Sequence, residues 1–180
     1  MTFVQYTRYS VFVQKESLIL IGMAGAGKST IGRLLASTLG FSFTDLDDYI
    51  REKEAETIQS IIDRLGEAAL LLIEERRTYE IDLKHRVIAP GGSIIYRPAL
   101  MDYLKQRAIL VFLDEPFEII RERLKNAASR GIVGYRGKSL QQIYLERHPL
   151  YVKYADITIE PQGKSPAQVV AEIIDHYNSM

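Results

Sequence analysis

The 180-residue sequence predicts an α/β fold of three layers, in which a five-stranded parallel sheet lies between two layers of helices. Two observations lead to this prediction. Short apolar runs alternate with longer stretches of helical periodicity, which is the pattern of consecutive βαβ units. A glycine-rich loop also stands directly between the first apolar run and the first helical stretch. Such sheets bind ligands beyond the carboxyl ends of their strands, so the residues that follow each strand are the candidates for function.

The first apolar run, residues 18–21, is typical of a buried strand, and the helix after it places Ile31, Leu34 and Leu35 on one side. Further strands are predicted at residues 41–44, 86–89, 108–113 and 157–159. Helices are predicted near residues 28–39, 46–54, 57–64, 67–82, 98–106, 117–126, 139–152 and 166–178. Residues 17–180 are therefore expected to form one domain.

Residues 1–16 precede this pattern as an N-terminal extension of unknown role. They are rich in aromatic and β-branched residues, which favours extended structure. An edge strand, a contact with a second subunit and a partial cloning remnant are all open explanations. We expect a monomer, with a dimer through this extension as the alternative.

The composition excludes several classes of function. Lys plus Arg equals Asp plus Glu at 23 each, so the chain lacks the positive charge that marks a nucleic-acid-binding protein. It contains no cysteine, which excludes disulfides and thiol chemistry. No apolar stretch is long enough to span a membrane, and the first residues do not resemble a signal peptide. We expect a cytoplasmic protein without nucleic-acid or membrane partners.

The loop at residues 22–29 has the spacing glycine, four residues, Gly-Lys-Ser, which is typical of a phosphate-binding loop. Its glycines allow backbone N–H groups to converge on an anion, and the helix start adds a positive dipole end. Lys28 can reach the outer phosphates, and the Ser29 hydroxyl can bind Mg²⁺. The residues assigned to the nucleotide are Gly25, Ala26, Gly27, Lys28, Ser29, Thr30 and, on the helix after the fourth strand, Arg123.

Acidic residues follow the second strand, at Asp45, Asp47 and Asp48. One carboxylate can hold Mg²⁺, and another can accept a proton from a hydroxyl group. The alternative is that they cap the next helix and interact with its dipole. We favour the alternative for Asp48 and the functional interpretation for Asp45 and Asp47, because the phosphate loop requires a metal partner.

Two glycine-containing segments follow the third and fourth strands. Gly91 and Gly92 allow a substrate to approach the backbone closely, although a tight turn explains them equally well. Residues 129–138 combine three glycines with several cations, which indicates a mobile flap at about residues 127–140 that covers phosphates. The alternative is a solvated basic loop. Further on, Arg147 stands before a proline at the end of a predicted helix, where its guanidinium could bind a carboxylate.

Taken together, these motifs resemble the shikimate kinase family, a group of P-loop kinases. The resemblance extends from about residue 17 to the C-terminus. It depends on residues 22–30, 43–47, 66–67 with Glu74, 91–92 and 147–156. It implies strand order 2-3-1-4-5, ATP and Mg²⁺ as cofactors, phosphorylation of a hydroxyl group of shikimate, and a place in aromatic amino-acid biosynthesis.

The resemblance also implies a role for individual residues. Lys28 contacts the phosphates, while Ser29 and Asp45 serve the metal. Asp47 contacts the acceptor hydroxyl and is the candidate base. The glycines Gly91 and Gly92 lie against the substrate, Arg147 binds its carboxylate, and Arg130 is the catalytic arginine of the flap.

Three parts of the sequence depart from the family pattern. Residues 130–133 read Arg-Gly-Ile-Val where the family has Arg-Pro-Leu-Leu in the flap. Leu71 stands where the family has an arginine that binds the shikimate carboxylate, and Ser93 stands where it has a third glycine. Loss of one charge-assisted hydrogen bond to a bound anion typically costs about 1.5–3 kcal/mol. The cations Arg76, Arg77 and Arg97 are candidates to replace the missing arginine.

We therefore predict an ATP-dependent kinase of a small hydroxy acid, with shikimate as the acceptor. Another hydroxylated metabolite such as homoserine is an alternative acceptor, since Leu71 removes one anion contact. A nucleotide-binding regulator without catalysis is a second alternative, because residues 68–73 predict a helix that is apolar on every side and could bind a partner. A GTP switch is excluded by the absence of an Asn-Lys-x-Asp motif.

Overall fold

The computed structural model describes residues 15–125 and 137–180. The expected N-terminal extension lies outside the described residues except for positions 15 and 16. The expected flap lies outside them except for residues 137–140, so Arg130 is not described.

Five strands and eight α-helices follow one another within the described ranges. In chain order they are β1 (Ser17–Ile21), α1 (Lys28–Leu39), β2 (Ser42–Asp45), α2 (Leu46–Glu54), α3 (Ile58–Leu65), α4 (Glu67–Tyr79), β3 (Arg86–Ala89), α5 (Pro98–Arg107), β4 (Ile109–Leu113), α6 (Phe117–Leu124), α7 (Leu140–Tyr154), β5 (Ile157–Ile159) and α8 (Pro166–Asn178). A short 3₁₀ helix at Ile94–Tyr96 lies between β3 and α5.

All five strands are parallel and lie in the order β2-β3-β1-β4-β5, which confirms the predicted fold class and strand order. The central strands β1 and β4 are buried along their whole length. This explains why they are continuous apolar runs, since both faces of a parallel sheet are covered by helices. The carboxyl ends of β1, β2, β3 and β4 meet at one edge, where the glycine loop and the aspartates follow.

One glycine of α1 is required by packing. A Cβ atom at Gly32 would lie 2.5 Å from Cε2 of Phe43 and 3.3 Å from Cδ1 of Leu20. The helix therefore approaches β2 closely at this point, which brings the beginning of α1 and the end of β2 together.

The observed ends of two helices differ from the predicted ones. Helix α4 ends at Tyr79 and not at residue 82, because the Asp82 side chain accepts a hydrogen bond from the backbone of Lys84 and forms a turn. Helix α7 begins after Ser139, whose side chain forms a capping box with Gln142, and continues through Pro149 to Tyr154. Residues 139 and 140 of the expected flap thus belong to the start of α7.

Candidate active site

The loop between β1 and α1 curves around its own backbone N–H groups. Gly25 and Gly27 adopt φ angles of 83° and 90°, which are strained for other residues. A Cβ atom at Gly22 would lie 2.9 Å from the carbonyl oxygen of Leu113, so the loop packs tightly against the end of β4. The loop can present its N–H groups to an anion only in this conformation.

Lys28 is buried at the start of α1, where its ammonium group lies inside the curve of the loop. Its Nζ atom donates hydrogen bonds to the carbonyl oxygens of Gly22 at 2.9 Å and Met23 at 2.8 Å. Burial lowers the pKa of Lys28 from 10.5 to about 8, although the nearby Asp47 raises it. The side chain therefore still carries its charge at neutral pH and can bind phosphate.

Asp45, the last residue of β2, forms contacts through both of its carboxylate oxygens. Its Oδ1 atom caps α2 by accepting hydrogen bonds from the backbone N–H groups of Asp47 and Asp48, at 3.1 and 3.4 Å. Its Oδ2 atom accepts a hydrogen bond of 2.6 Å from the Ser29 hydroxyl. The structure therefore shows Asp45 as a helix cap, while its metal-binding role stays a prediction. The pair of hard oxygen donors beside the loop fits the preference of Mg²⁺.

Asp48 does not face the Ser29–Asp45 pair. It forms ion pairs with Arg33 and Arg51 at the surface, as expected for an acidic residue in the first turn of a helix.

The carboxyl groups of Asp47 and of Glu74, from α4, lie close together beside Gly91. A Cβ atom at Gly91 would lie 2.6 Å from Oε1 of Glu74 and 3.3 Å from Oδ1 of Asp47. Glu74 is 2% exposed, and both of its oxygens lie 2.9 Å from the hydroxyl of Ser93, which donates to them. Any side chain at position 91 would therefore clash with these two carboxyl groups, which explains the glycine.

Glu74 has a strongly perturbed acidity. Burial, followed by the negative charge of Asp47, raises the pKa of Glu74 from 4.5 to about 7, against the opposing effects of Ser93 and Arg147. In the sequence, Glu74 stands out only as part of a family motif, which predicts no role for it. The sequence signal that could have identified Glu74 is its position at the end of an apolar helical stretch, because a glutamate there is rarely buried without a function or a partner.

Arg147 lies in the interior of α7 and is 1% exposed. The expectation that it ends its helix is wrong, because α7 continues for seven residues beyond it. Its Nε atom donates to the hydroxyl of Tyr96 at 3.3 Å, and its guanidinium lies 5.1 Å from the centre of that ring. A Cβ atom at Gly92 would lie 3.0 Å from Nη1 of Arg147 and 3.0 Å from the Tyr151 hydroxyl, so this glycine allows both side chains to approach.

Arg123 lies in the last turn of α6 and contacts the glycine loop. Its Nη1 atom donates a hydrogen bond of 2.9 Å to the carbonyl oxygen of Gly25. Its Nη2 atom lies 3.0 Å from Oε1 of Glu115, which follows β4 and is buried. Glu115 is not among the site residues predicted from the sequence.

These side chains line one open cleft of about 980 Å³ along the carboxyl edge of the sheet. The predicted site residues that line it are Gly25, Ala26, Gly27, Lys28, Ser29, Thr30, Asp45, Asp47, Gly91, Gly92, Arg123 and Arg147. Arg130 is the one predicted site residue that the structure does not describe. Asp47 and Arg147 lie close enough to Lys28 to influence its pKa, so the loop and these two side chains face the same part of the cleft.

The cations proposed to replace the missing arginine are engaged elsewhere. Arg76 and Arg77 both pair with Glu54, and Arg97 pairs with Glu75. In the described part of the chain, none of the three lines the cleft. These three arginines therefore do not assist Arg147 in binding an anion in the cleft.

The apolar run in α4 is mostly covered. Leu70 is buried, and Leu71 and Ile73 are partly buried against the core. Leu72 is exposed at 56%, and the small side chain of Ala68 is exposed as well. The expected helix with an apolar surface on every side is therefore a core-facing helix, which weakens the partner interface that we inferred from it.

Two features are absent from residues 15–125 and 137–180. No group of three or more acidic or histidine side chains is arranged to hold a metal ion by itself. No helix in these ranges combines the length and the apolar character needed to cross a bilayer.

The fold and the cleft define a class of protein. A parallel sheet in the order 2-3-1-4-5, a phosphate-binding loop after β1 and carboxylates after β2 together define a P-loop kinase.

Comparison with known proteins identifies the family. The family model described as shikimate kinase matches residues 24–178. A shikimate kinase from Lactococcus lactis is 39% identical over 159 residues, covering 87% of this chain and 95% of the relative. One from Persephonella marina is 34% identical over 160 residues, covering 88% and 97%. The solved structure of shikimate kinase from Acinetobacter baumannii in complex with shikimate is 32% identical, with a TM-score of 0.84 and coverage of 91% and 93%.

The chain therefore belongs to the shikimate kinase family, and the resemblance found in its motifs is confirmed. As a member of this family it is a kinase.

Proposed function

We propose that this protein transfers the γ-phosphate of ATP to a hydroxyl group of shikimate, releasing ADP and shikimate 3-phosphate. The observation that carries the proposal is the convergence of the phosphate loop and Asp47 in one cleft, in a chain of this family. Phosphoryl transfer depends mainly on positioning and on charge stabilisation, and the cleft supplies both.

The nucleotide binds at the phosphate loop. Backbone N–H groups of Gly25 and Gly27 surround the phosphates. The Ala26 N–H, which donates to the carbonyl oxygen of Met23 at 3.1 Å, and Lys28 exchange their carbonyl partners for phosphate oxygens. Thr30, which is exposed at the start of α1, adds a further polar contact. Arg123 lies at the edge of the loop, where its cation faces the nucleotide. Arg130, from the flap, supplies positive charge to the transferred group.

The Ser29 hydroxyl and the Asp45 carboxylate would hold Mg²⁺ beside the phosphate loop. The support for this step is the 2.6 Å contact between the two side-chain oxygens, which are donors of the kind that this ion prefers. When bound, the ion neutralises negative charge on the phosphate oxygens.

The acceptor binds in the same cleft, beside Asp47 and Arg147. Arg147 is buried and rigidly held, and its guanidinium binds the acceptor carboxylate. Gly91 and Gly92 form the floor. Asp47 accepts the proton of the attacking hydroxyl as the oxygen–phosphorus bond forms and the bond to ADP breaks.

The two alternatives from the sequence are less well supported. The curated relatives cited above are named shikimate kinases, which argues against a homoserine kinase. A regulator without catalysis has no use for a carboxylate at the position of Asp47. The monomeric state and the cytoplasmic location stay predictions, and gel filtration tests the first.

Assays of ADP release and titration calorimetry test the proposal together. We expect turnover with shikimate to exceed turnover with homoserine. The Asp47→Asn variant is expected to lose at least about a hundredfold in kcat, because general base catalysis contributes about 10²–10⁴-fold. Its affinity for MgATP should change little.

The matched control is Asp102→Asn, which removes an exposed carboxylate from α5 and should leave turnover unchanged. Wild-type kcat in the Asp47→Asn variant would overturn the assignment of the base. Faster turnover of homoserine than of shikimate would overturn the choice of acceptor.

A further inference from the structure

Glu115 is a buried carboxylate beside the phosphate loop, at the start of the turn that leads from β4 to α6. The residue is 4% exposed and lines the cleft. Its Oε1 atom lies 3.0 Å from Nη2 of Arg123. Its Oε2 atom is also buried and finds no hydrogen-bond partner within residues 15–125 and 137–180.

The ion pair continues into the loop. Arg123 uses its other terminal nitrogen, Nη1, to donate to the carbonyl oxygen of Gly25 at 2.9 Å. Two acceptors from different parts of the chain therefore hold one planar guanidinium, which fixes its orientation as well as its position. The side chain of Arg123 remains about half exposed, on the side of the cleft.

This arrangement is unfavourable as a purely structural element. A buried carboxylate with one unpaired oxygen loses hydration that a single ion pair only partly replaces, and an apolar side chain of similar volume commonly packs as well or better. The favourable part of the arrangement is that it holds Arg123 at the loop.

We infer that Glu115 is a positioning residue that sets the affinity of this protein for ATP by holding the guanidinium of Arg123 at the phosphate loop. The inference goes beyond the proposed function and rests on its assignment of Arg123 to the nucleotide. A free arginine side chain loses rotamer freedom when it is fixed, and this loss opposes binding. Since Glu115 has already ordered the side chain, less of that loss remains to oppose nucleotide binding.

Two variants separate positioning from a structural role. Glu115→Gln keeps the shape and one acceptor but removes the charge, and Glu115→Leu removes both. The affinity for MgATP is measured by titration calorimetry, and the kinetic constants for both substrates are measured by ADP release.

We expect Glu115→Gln to raise the Kd and the KM for MgATP roughly three- to tenfold, because a neutral hydrogen bond is weaker than a charge-assisted one. Glu115→Leu should raise them further. The kcat at saturating ATP and the KM for shikimate should stay at the wild-type values. The melting temperature of Glu115→Gln without ligand should be equal to or above that of wild type, since a buried charge with one unpaired oxygen is gone.

The control is Glu122→Gln, which removes a carboxylate that is 68% exposed on the same helix and pairs with Lys125. It should change none of these values. A double-mutant cycle adds a second test, because Glu115→Gln should have no further effect on ATP affinity in an Arg123→Ala background.

Unchanged ATP affinity in both Glu115 variants would overturn the inference while leaving the proposed function intact. Equal losses of affinity for ATP and shikimate, together with a lower melting temperature, would show a structural role. Failure of the wild-type protein to bind MgATP would instead refute the proposed function.

Discussion

Replacement of Glu74 by glutamine should make the protein more stable above neutral pH. Glu74 is buried with Ser93, Asp47 and Arg147 around it, and the pKa of its carboxyl group is raised from 4.5 to about 7, first by burial and then by Asp47. In Glu74→Gln the side chain keeps its shape, and its amide oxygen can still accept the hydrogen bond from Ser93.

The sign of the effect follows from proton binding. Between pH 4.5 and about 7 the folded protein holds a proton on Glu74 that the unfolded chain has lost. The stability that this proton contributes is therefore fully present below pH 4.5 and is lost as the pH rises through the folded pKa. One pH unit corresponds to about 1.4 kcal/mol, so the loss reaches about 3 kcal/mol above pH 7.

The assay is thermal unfolding of the ligand-free wild-type and Glu74→Gln proteins at pH 5, 6, 7 and 8. For a chain of this size, 1 kcal/mol shifts the melting temperature by roughly 2–4 °C. We expect a small difference at pH 5 that grows to roughly 6–12 °C in favour of the variant at pH 8. The exposed residue Glu52 supplies the control, and Glu52→Gln should show no such dependence on pH. A difference of constant size from pH 5 to pH 8 would refute the reasoning.

Two further predictions concern α1 and α4. Gly32→Ala should destabilise the protein by about 1–3 kcal/mol in urea unfolding, because the added methyl group would clash with Phe43. The control, Ser37→Ala at an exposed position of the same helix, should not destabilise the protein. Equal stability of the two variants would contradict the close packing. Leu71→Arg should lower the KM for shikimate roughly tenfold. Residue 71 lies one turn before Glu74, and a guanidinium there gains a charge-assisted hydrogen bond to the acceptor carboxylate. An unchanged kcat/KM would mean that residue 71 does not reach the acceptor.

The phosphate-loop end of the site was predictable because its signals are local. The glycine spacing, Lys28 and Ser29 stand within eight residues, and the flanking strand and helix have clear periodicity. Asp45 was also predictable, since it comes directly after a strand. The sequence favoured the metal role over the capping role for Asp45, whereas the structure shows one carboxylate oxygen capping α2 and the other in contact with Ser29.

The acceptor end was less predictable because its contacts join distant parts of the chain. Glu74 and Ser93 are 19 residues apart and come from different elements. Their contact depends on how α4 lies over the turn after β3, and no periodic pattern encodes that. The same reason explains the error over Arg76, Arg77 and Arg97, whose partners could be found only from the packed structure.

By itself, the sequence determined the order of strands and helices, the phosphate-binding loop and the family, since periodicity and motif spacing are properties of neighbouring residues. The tertiary structure alone decided which charged groups face each other in the cleft. It placed Glu74 against Ser93 and Asp47, and Glu115 against Arg123. The physical reason is that acidity and orientation depend on burial and on partners across the fold, and these exist only after the helices have packed on the sheet.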